Sequence, residues 1–549
     1  MMKILDMKNP EFFNHIEESK EPMPGIAINR DAFLQAQQDT LAEARSPWAV
    51  IQDNVKTCAV ILVVQVSVRA IAFFQSIVSL LIKFGVQAFC NTMGSYDSET
   101  ESYTVAATTL SLWAGLFGLM HVIVHGLAIC DRFGRIKCIY LMVLNIYLGV
   151  MVEILSKNKN DYTGAKIMMG TATGMMQVAV PTYIAEIAPC EIRGISLGLF
   201  SFNLSLGAMI GNIVTYVANQ TWGSDPFDNR GWRVPLYVGL ATPTISLIGM
   251  ALMMPESPYW LILQHRVKDA QASLKRLHPT KSDEEITRLT NELQYTVLKE
   301  IEDKESSSDA SYLECLRGPN LRRTFAALFP SLAQQLVGNQ LVQSYSAYFF
   351  TIAGLSNALL GSVVVSCVGL GAAIFAFFLI ELRTVGRWHL VFWGVIGITL
   401  SMLGIGVIDT ADHGNNTASA GAVLVTFVAL FNAAVTIGPG VAGWSYTAES
   451  ASARLRAKTA TLAVGCNAVI GTVTNIVIPI ELEAIGAQTG YMFFGIGLVC
   501  IVLIYLWIPD VTGRSYGQLD ELFERRIPAR KFKGTQCTGN YGTPHRKPA

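Results

Sequence analysis

The sequence predicts an all-α membrane protein of about twelve helical spans, arranged as two related six-helix bundles joined by a polar helical linker. Three observations carry this expectation. The 549 residues are 51% hydrophobic and only 15% charged, whereas soluble domains are about 25% charged, so much of the apolar surface must face lipid. Apolar runs of about 20 residues, long enough to cross a hydrocarbon core of ~30 Å as helices, lie near 57–80, 105–127, 137–155, 163–185, 195–217, 235–254, 325–350, 357–380, 388–408, 420–443, 457–481 and 489–508. Finally, Tyr183, Glu186 and Arg193, spaced Y-x-x-E-x(6)-R, return as Tyr446, Glu449 and Arg456, 263 residues later.

Taken in order, residues 1–56 form a largely polar N-terminal segment with no apolar run resembling a cleavable signal, so insertion is expected to use the first span. Residues 57–262 make the first bundle, 263–324 the linker, 325–508 the second bundle and 509–549 a polar tail. In the linker, apolar residues recur at helical spacing among charges, as in short amphipathic helices. Lys and Arg concentrate before residue 56, around Asp131–Lys137, in the linker and in the tail, while the opposite loops hold few, among them Lys157, Lys159, Arg230 and Arg233. By the positive-inside rule this predicts a multi-pass cell-membrane protein with both termini cytoplasmic. Two further pairs repeat between the halves: Gly134-Arg135 with Gly386-Arg387, and Pro255-Glu256 with Pro509-Asp510. A parallel repeat of this kind places substrate at the bundle interface near the midplane.

Several function classes drop away. A formal net charge of zero gives no argument for nucleic acid. The ten Cys are scattered without a CxxC, and the eight His are dispersed, so neither a disulfide framework, a metal site, a cofactor nor an enzyme is expected. Asn219-Gln220-Thr221 and Asn415-Asn416-Thr417 are glycosylation sequons in loops expected outside; Asn203-Leu204-Ser205 also matches but falls within a span.

The seventh span is rich in amides: Gln334, Gln335, Asn339 and Gln340 precede Tyr345. Amides are costly in lipid unless they line a wet cavity or bond neighbouring helices. In a cavity, such groups both donate to and accept from hydroxyls. Gln177, Asn203, Trp444 and Asn467 are further lining candidates, Trp444 offering an aromatic face. Asp131, Arg135, Glu186, Arg193, Arg387, Glu449 and Arg456 fall at span ends expected to be cytoplasmic. There they can form ionic latches between two bundle positions or act as topology-setting charges.

Five motifs then carry a resemblance. They are Asp131-Arg132-Phe133-Gly134-Arg135; Pro181-x-Tyr183-x-x-Glu186-x-x-Pro189 with Arg193-Gly194; Pro255-Glu256-Ser257-Pro258; Gly438-Pro439-Gly440 with Trp444, Tyr446, Glu449 and Arg456; and Pro509-Asp510-x-x-Gly513-Arg514-Ser515 with Leu519-Asp520-x-Leu522-Phe523-Glu524. From about residue 40 to 535 the chain resembles the sugar porter family of the major facilitator superfamily. Arg530-Lys531-Phe532 and Lys166-Ile167 point to its fungal α-glucoside (maltose) permease-like branch. The resemblance implies a major facilitator fold, alternating-access transport of a hexose or an α-glucoside such as maltose, and a default monomer whose partners are the solute and the lipid bilayer. It also implies a sugar-binding role for Gln334, Gln335 and Gln340.

Where proton-coupled members carry an Asp in span 1, this chain has Phe73-Phe74-Gln75. Gln75 cannot titrate, which predicts a facilitator and leaves Lys166 unpaired or paired elsewhere. Arg69 should have a carboxylate partner, such as Glu153, or face a wet cavity. Arg69 also keeps open a polyol, a quinate-like acid or a secondary metabolite as the solute. A sugar sensor ranks lower, because the family's sensors have long tails and only about 25 residues follow Glu524.

Overall fold

The computed structural model describes residues 47–81, 87–97, 102–126, 129–189, 192–306, 312–352, 355, 357–381, 386–412, 418–440, 442–451, 455–511, 516–535 and 537. Its first half contains α1 (Val55–Leu81), α2 (Ala107–Gly126), α3 (Arg135–Leu155), α4 (Lys159–Ile187), α5 (Arg193–Trp222) and α6, the last in two pieces, Arg230–Gly239 and Ala241–Met253. The second half contains α7 in two pieces, Gly318–Leu336 and Asn339–Ile352, then α8 (Ala358–Glu381) and α9 (Arg387–Asp412). It continues with α10, built from Ala418–Val435, a π-turn over Thr436–Gly440 and Ala442–Ser450, and ends with α11 (Arg456–Ile485) and α12 (Thr489–Trp507). The linker supplies amphipathic helices Val267–Leu277 and Asp283–Ser306. A short hairpin pairs β1 (Ser95–Asp97) with β2 (Ser102–Thr104) between α1 and α2.

Among the described residues, nine segments are long and apolar enough to cross a membrane, the last of them, Lys458–Trp507, containing both α11 and α12. The two helices outside these segments are α4 and α7, which carry Lys166 and the amide run. Both bring polar side chains into the protein, Lys166 from α4 and Gln334 and Gln335 from α7. Large apolar residues such as Leu252, Phe378, Trp393 and Val499 are exposed on the outer surface, as a lipid-facing belt requires.

Each half has its own buried core, one running from Val60 to Leu277 and the other from Ala326 to Phe532. Local chemistry sets the breaks. Gly338 takes φ +90, and a Cβ there would lie 3.0 Å from the Phe493 ring, so α7 can only be interrupted here by glycine. In α10, Pro439 has no N–H to give, and the ladder widens into the π-turn.

The halves meet where α2 packs on α11 and α5 on α8. Ser111 Oγ donates to the Ile476 carbonyl at 2.7 Å, and Asn212 Nδ2 to the Ser362 carbonyl at 3.2 Å. Both bonds lie in the helix portions remote from the linker, which itself touches the start of α1 through Thr57 Oγ1 and the Leu277 carbonyl.

Candidate functional site

A cavity of about 510 Å³ lies between the halves, within the range of small-molecule sites. The break at Gly338 lets both pieces of α7 contribute, so that Gln334, Gln335, Asn339, Gln340 and Tyr345 all line it, together with Gln177 of α4 and Asn467 of α11. These side chains form a directional chain. Ser344 Oγ donates to Gln340 Oε1 (3.1 Å), Gln340 Nε2 to Gln335 Oε1 (3.1 Å), Gln335 Nε2 to Asn467 Oδ1 (3.2 Å) and Asn467 Nδ2 to the Ser331 carbonyl (3.0 Å). Each amide keeps spare hydrogen-bonding capacity. Among the described residues, Asn339 Oδ1 and Asn475 Oδ1 are buried with no hydrogen-bond partner.

Six other candidates stand differently. Asn203 does not line the cavity; its Oδ1 accepts from Arg69 Nε at 3.2 Å and Nη2 at 2.8 Å, and its Nδ2 donates to the Leu199 carbonyl. Ser201, two residues earlier, reaches the wall instead. The side chains of Trp444, Glu449 and Arg456 and the whole of Asn415 lie outside the described residues. Asn219 sits half-buried in the last turn of α5. The wall also holds residues not anticipated from the sequence: Trp113, whose Nε1 donates to Thr163 Oγ1 (2.9 Å), Asn432, which accepts from Gln343 Nε2 (3.1 Å), and His121, bonded to Gln177 (3.1 Å). Each is a single polar or aromatic side chain in an apolar helix, with no local signal to say which way it faces.

At the linker end of the first half, Arg135 is the hub. Its Nη2 lies 2.8 Å from Glu186 Oε1 and its Nη1 3.2 Å from Asp131 Oδ1, with the Arg135 and Glu186 side chains only 4% and 10% exposed. Glu256, missed as a latch residue although it stands in the quoted Pro-Glu-Ser-Pro motif, accepts from the backbone N–H groups of Arg135, Ile136 and Ser257. Arg193 is exposed and reaches the Ala188 carbonyl at 3.4 Å, away from that cluster. The internal repeat is spatial as well. Tyr183 Oη donates to the Pro255 carbonyl (2.7 Å) and Tyr446 Oη to the Pro509 carbonyl (3.1 Å). Arg387 opens α9. Arg323 of α7 pairs with Asp520, which ties the helix Tyr516–Glu524 to the bundle.

The expectation for the intramembrane charges is corrected. Glu153 pairs with Lys166, its Oε1 2.7 Å from Nζ and both side chains buried. Arg69 therefore takes the Asn203 amide and no carboxylate among the described residues. Gln75 of α1 lines the cavity and donates to Thr173 Oγ1 at 3.4 Å.

The model for the sugar (and other) transporter family matches residues 70–523. The chain belongs to this family. Relatives within reach of the sugar transporter family include the general alpha-glucoside permease of Saccharomyces cerevisiae, 26% identical over 465 residues that cover 82% of this chain and 72% of that protein. The galactose transporter of the same yeast is 26% identical over 416 residues, 74% of this chain and 70% of that one. In fold, the inward-open xylose transporter XylE from E. coli matches with a TM-score of 0.67 at 17% identity, over 85% of this chain and 99% of that chain. The architecture is the major facilitator fold.

Proposed function

We propose that this chain moves a sugar, a hexose or an α-glucoside such as maltose, across the cell membrane by alternating access. The observation that carries the reading is the neutral amide chain from Ser344 through Gln340 and Gln335 to Asn467, set in the wall of a cavity between two bundles. A polyhydroxylated ring needs paired donors and acceptors, and these amides offer both without charge. The names of the yeast relatives, an α-glucoside permease and a galactose transporter, support the same substrate class.

On this reading Gln334, Gln335, Asn339, Gln340, Tyr345, Gln177 and Asn467 bind solute, with Trp113 as an aromatic face. The Arg135–Glu186–Asp131 cluster holds one of the two bundle positions, and its counterpart in the second half begins at Arg387. The linker and both termini face the cytoplasm, and the chain works as a monomer. Equilibrium binding of labelled maltose and glucose to the purified protein, with mannitol and quinate as competitors, tests the substrate class. Displacement by maltose or glucose alone supports the sugar reading, and displacement by quinate in preference moves it to an acidic polyol.

A further inference from the structure

Two cysteines at the linker end of the first half touch each other. Cys130 lies in the short helix Ile129–Phe133 and Cys138 near the start of α3, and both are buried in the core of that half, only 3% and 1% exposed. Their sulfurs are 2.9 Å apart, within about 1 Å of the bonding separation of ~2.05 Å.

The residues between them explain the approach. Gly134 stands four residues from each cysteine and joins the short helix to α3 at φ +97, a backbone angle that glycine adopts at no steric cost. A Cβ there would lie 2.6 Å from Glu256 Oε2. The Gly134 N–H donates to the Cys130 carbonyl at 3.1 Å, and the Cys138 N–H donates to the Gly134 carbonyl at 3.3 Å. The chain turns at Gly134 so that the two thiols face one another. The same turn carries the ionic cluster. Arg135 Nη1 donates to the Cys130 carbonyl at 3.0 Å and lies 3.2 Å from Asp131 Oδ1, while Trp260 Nε1 donates to the Asp131 carbonyl at 2.9 Å.

We propose that Cys130 and Cys138 are a peroxide-oxidised thiol pair whose disulfide locks the linker-end cluster and slows transport; the effect on transport rests on the reading above. Burial selects the oxidant, because hydrogen peroxide is small and uncharged where disulfide oxidants are bulky. One thiol attacks the peroxide O–O bond, becomes a sulfenic acid and releases one water. The second thiol attacks that sulfur, the S–O bond breaks, the S–S bond forms, and the hydroxyl leaves with the thiol proton as a second water. Two thiols thus lose two electrons and two protons, and one peroxide is reduced to two waters. With the second thiol already in contact, the sulfenic acid is consumed before further peroxide takes it to the sulfinic acid. A dithiol reductant reverses the bond by exchange, as suits a redox-sensing pair in a reducing compartment.

The new bond crosses the Gly134 joint. Releasing Asp131 and the Cys130 carbonyl from Arg135 swings the short helix against α3, and a covalent tether between those two elements opposes the swing. The oxidised chain is held in the bundle position that the cluster maintains.

The test treats the full-length protein in liposomes with hydrogen peroxide, digests it with trypsin without reduction and maps the peptides by mass spectrometry. Arg132, Arg135 and Lys137 lie between the two cysteines, so the disulfide joins tryptic peptides that otherwise separate. The joined peptide is expected in the treated wild type and is lost on adding dithiothreitol. Exchange of labelled maltose or glucose should fall about fivefold or more with peroxide and return with dithiothreitol. Cys130→Ser should hold its untreated exchange rate in peroxide, and should it fail to fold, Cys138→Ala takes its place. No joined peptide in the treated wild type overturns the site. A joined peptide with unchanged exchange, or equal inhibition of the variant, overturns the lock.

Absence of any sugar exchange by the untreated wild type sinks the transport reading by itself. The pair is then judged by the peptide map alone, in which the joined peptide supports the modification site and its absence overturns it.

Discussion

Gln335 of α7 and Asn467 of α11 are joined by a 3.2 Å hydrogen bond across the wall of the cavity. Each partner continues the chain, Gln335 toward Gln340 and Asn467 toward the Ser331 carbonyl. Losing one neutral hydrogen-bonding group costs about 1 kcal/mol, so Gln335→Ala and Asn467→Ala are each expected to weaken sugar binding about five- to tenfold, with membrane insertion unchanged. Because the two share a bond, the double variant should lose less than the sum of the singles. Titration of labelled sugar into the three purified variants measures this.

The linker-end cluster makes a contrasting prediction. Arg135→Ala leaves the buried Glu186 carboxylate without its guanidinium, a change that costs about 3–5 kcal/mol when one partner of a buried pair is removed. Arg193 is exposed with a single weak carbonyl contact, and its replacement by Ala should stay within about 0.5 kcal/mol. Thermal unfolding of the detergent-solubilised variants checks the stabilities. Exchange rates check the transport step, which Arg135→Ala should slow far more than Arg193→Ala.

Gly338 separates the two pieces of α7 at φ +90 with the Phe493 ring and Met402 packed against it. Gly338→Ala adds both the strain of a left-handed L-residue, about 1 kcal/mol, and a contact that must push the Phe493 ring aside. Binding and thermal stability should fall together, by contrast with Gln335→Ala, in which binding falls first. Parallel melting and binding curves separate the two cases.

His278 follows the linker helix Val267–Leu277, and burial with Lys281 nearby pushes its pKa down to about 4 from the usual 6.5. The unfolded chain therefore binds a proton at higher pH than the folded one. Stability is complete above pH ~6.5 and is lost as pH falls toward about 4. His278→Gln should flatten the part of the melting-temperature decline that lies between pH 7 and 5, measured by fluorescence melting of the purified protein.

Much of this was legible in the sequence because lipid imposes simple rules. Twelve apolar runs, and the Tyr183/Tyr446 repeat, foretold helices whose counterparts occupy equivalent positions, each tyrosine bonded to the proline after the last helix of its half. The amides of α7 were legible because five neighbouring polar side chains cannot all be spent on helix contacts. Trp113, Asn432 and Asn475 were not, since one such residue in an apolar helix faces core or cavity according to its neighbours alone. Arg69 misled for another reason. The demand for a countercharge is real, but a half-buried guanidinium accepted an amide, Asn203, while the carboxylate expected for it went to Lys166 on the next helix.

The decisive measurement is uptake of labelled maltose and glucose by transport-deficient yeast expressing the wild-type chain or Gln335→Ala. Sugar transport through the amide-lined cavity predicts saturable uptake of at least one of these sugars, with its half-saturating concentration raised about five- to tenfold by Gln335→Ala at equal surface expression. No uptake of either sugar by wild-type protein shown to be folded in the membrane would contradict it.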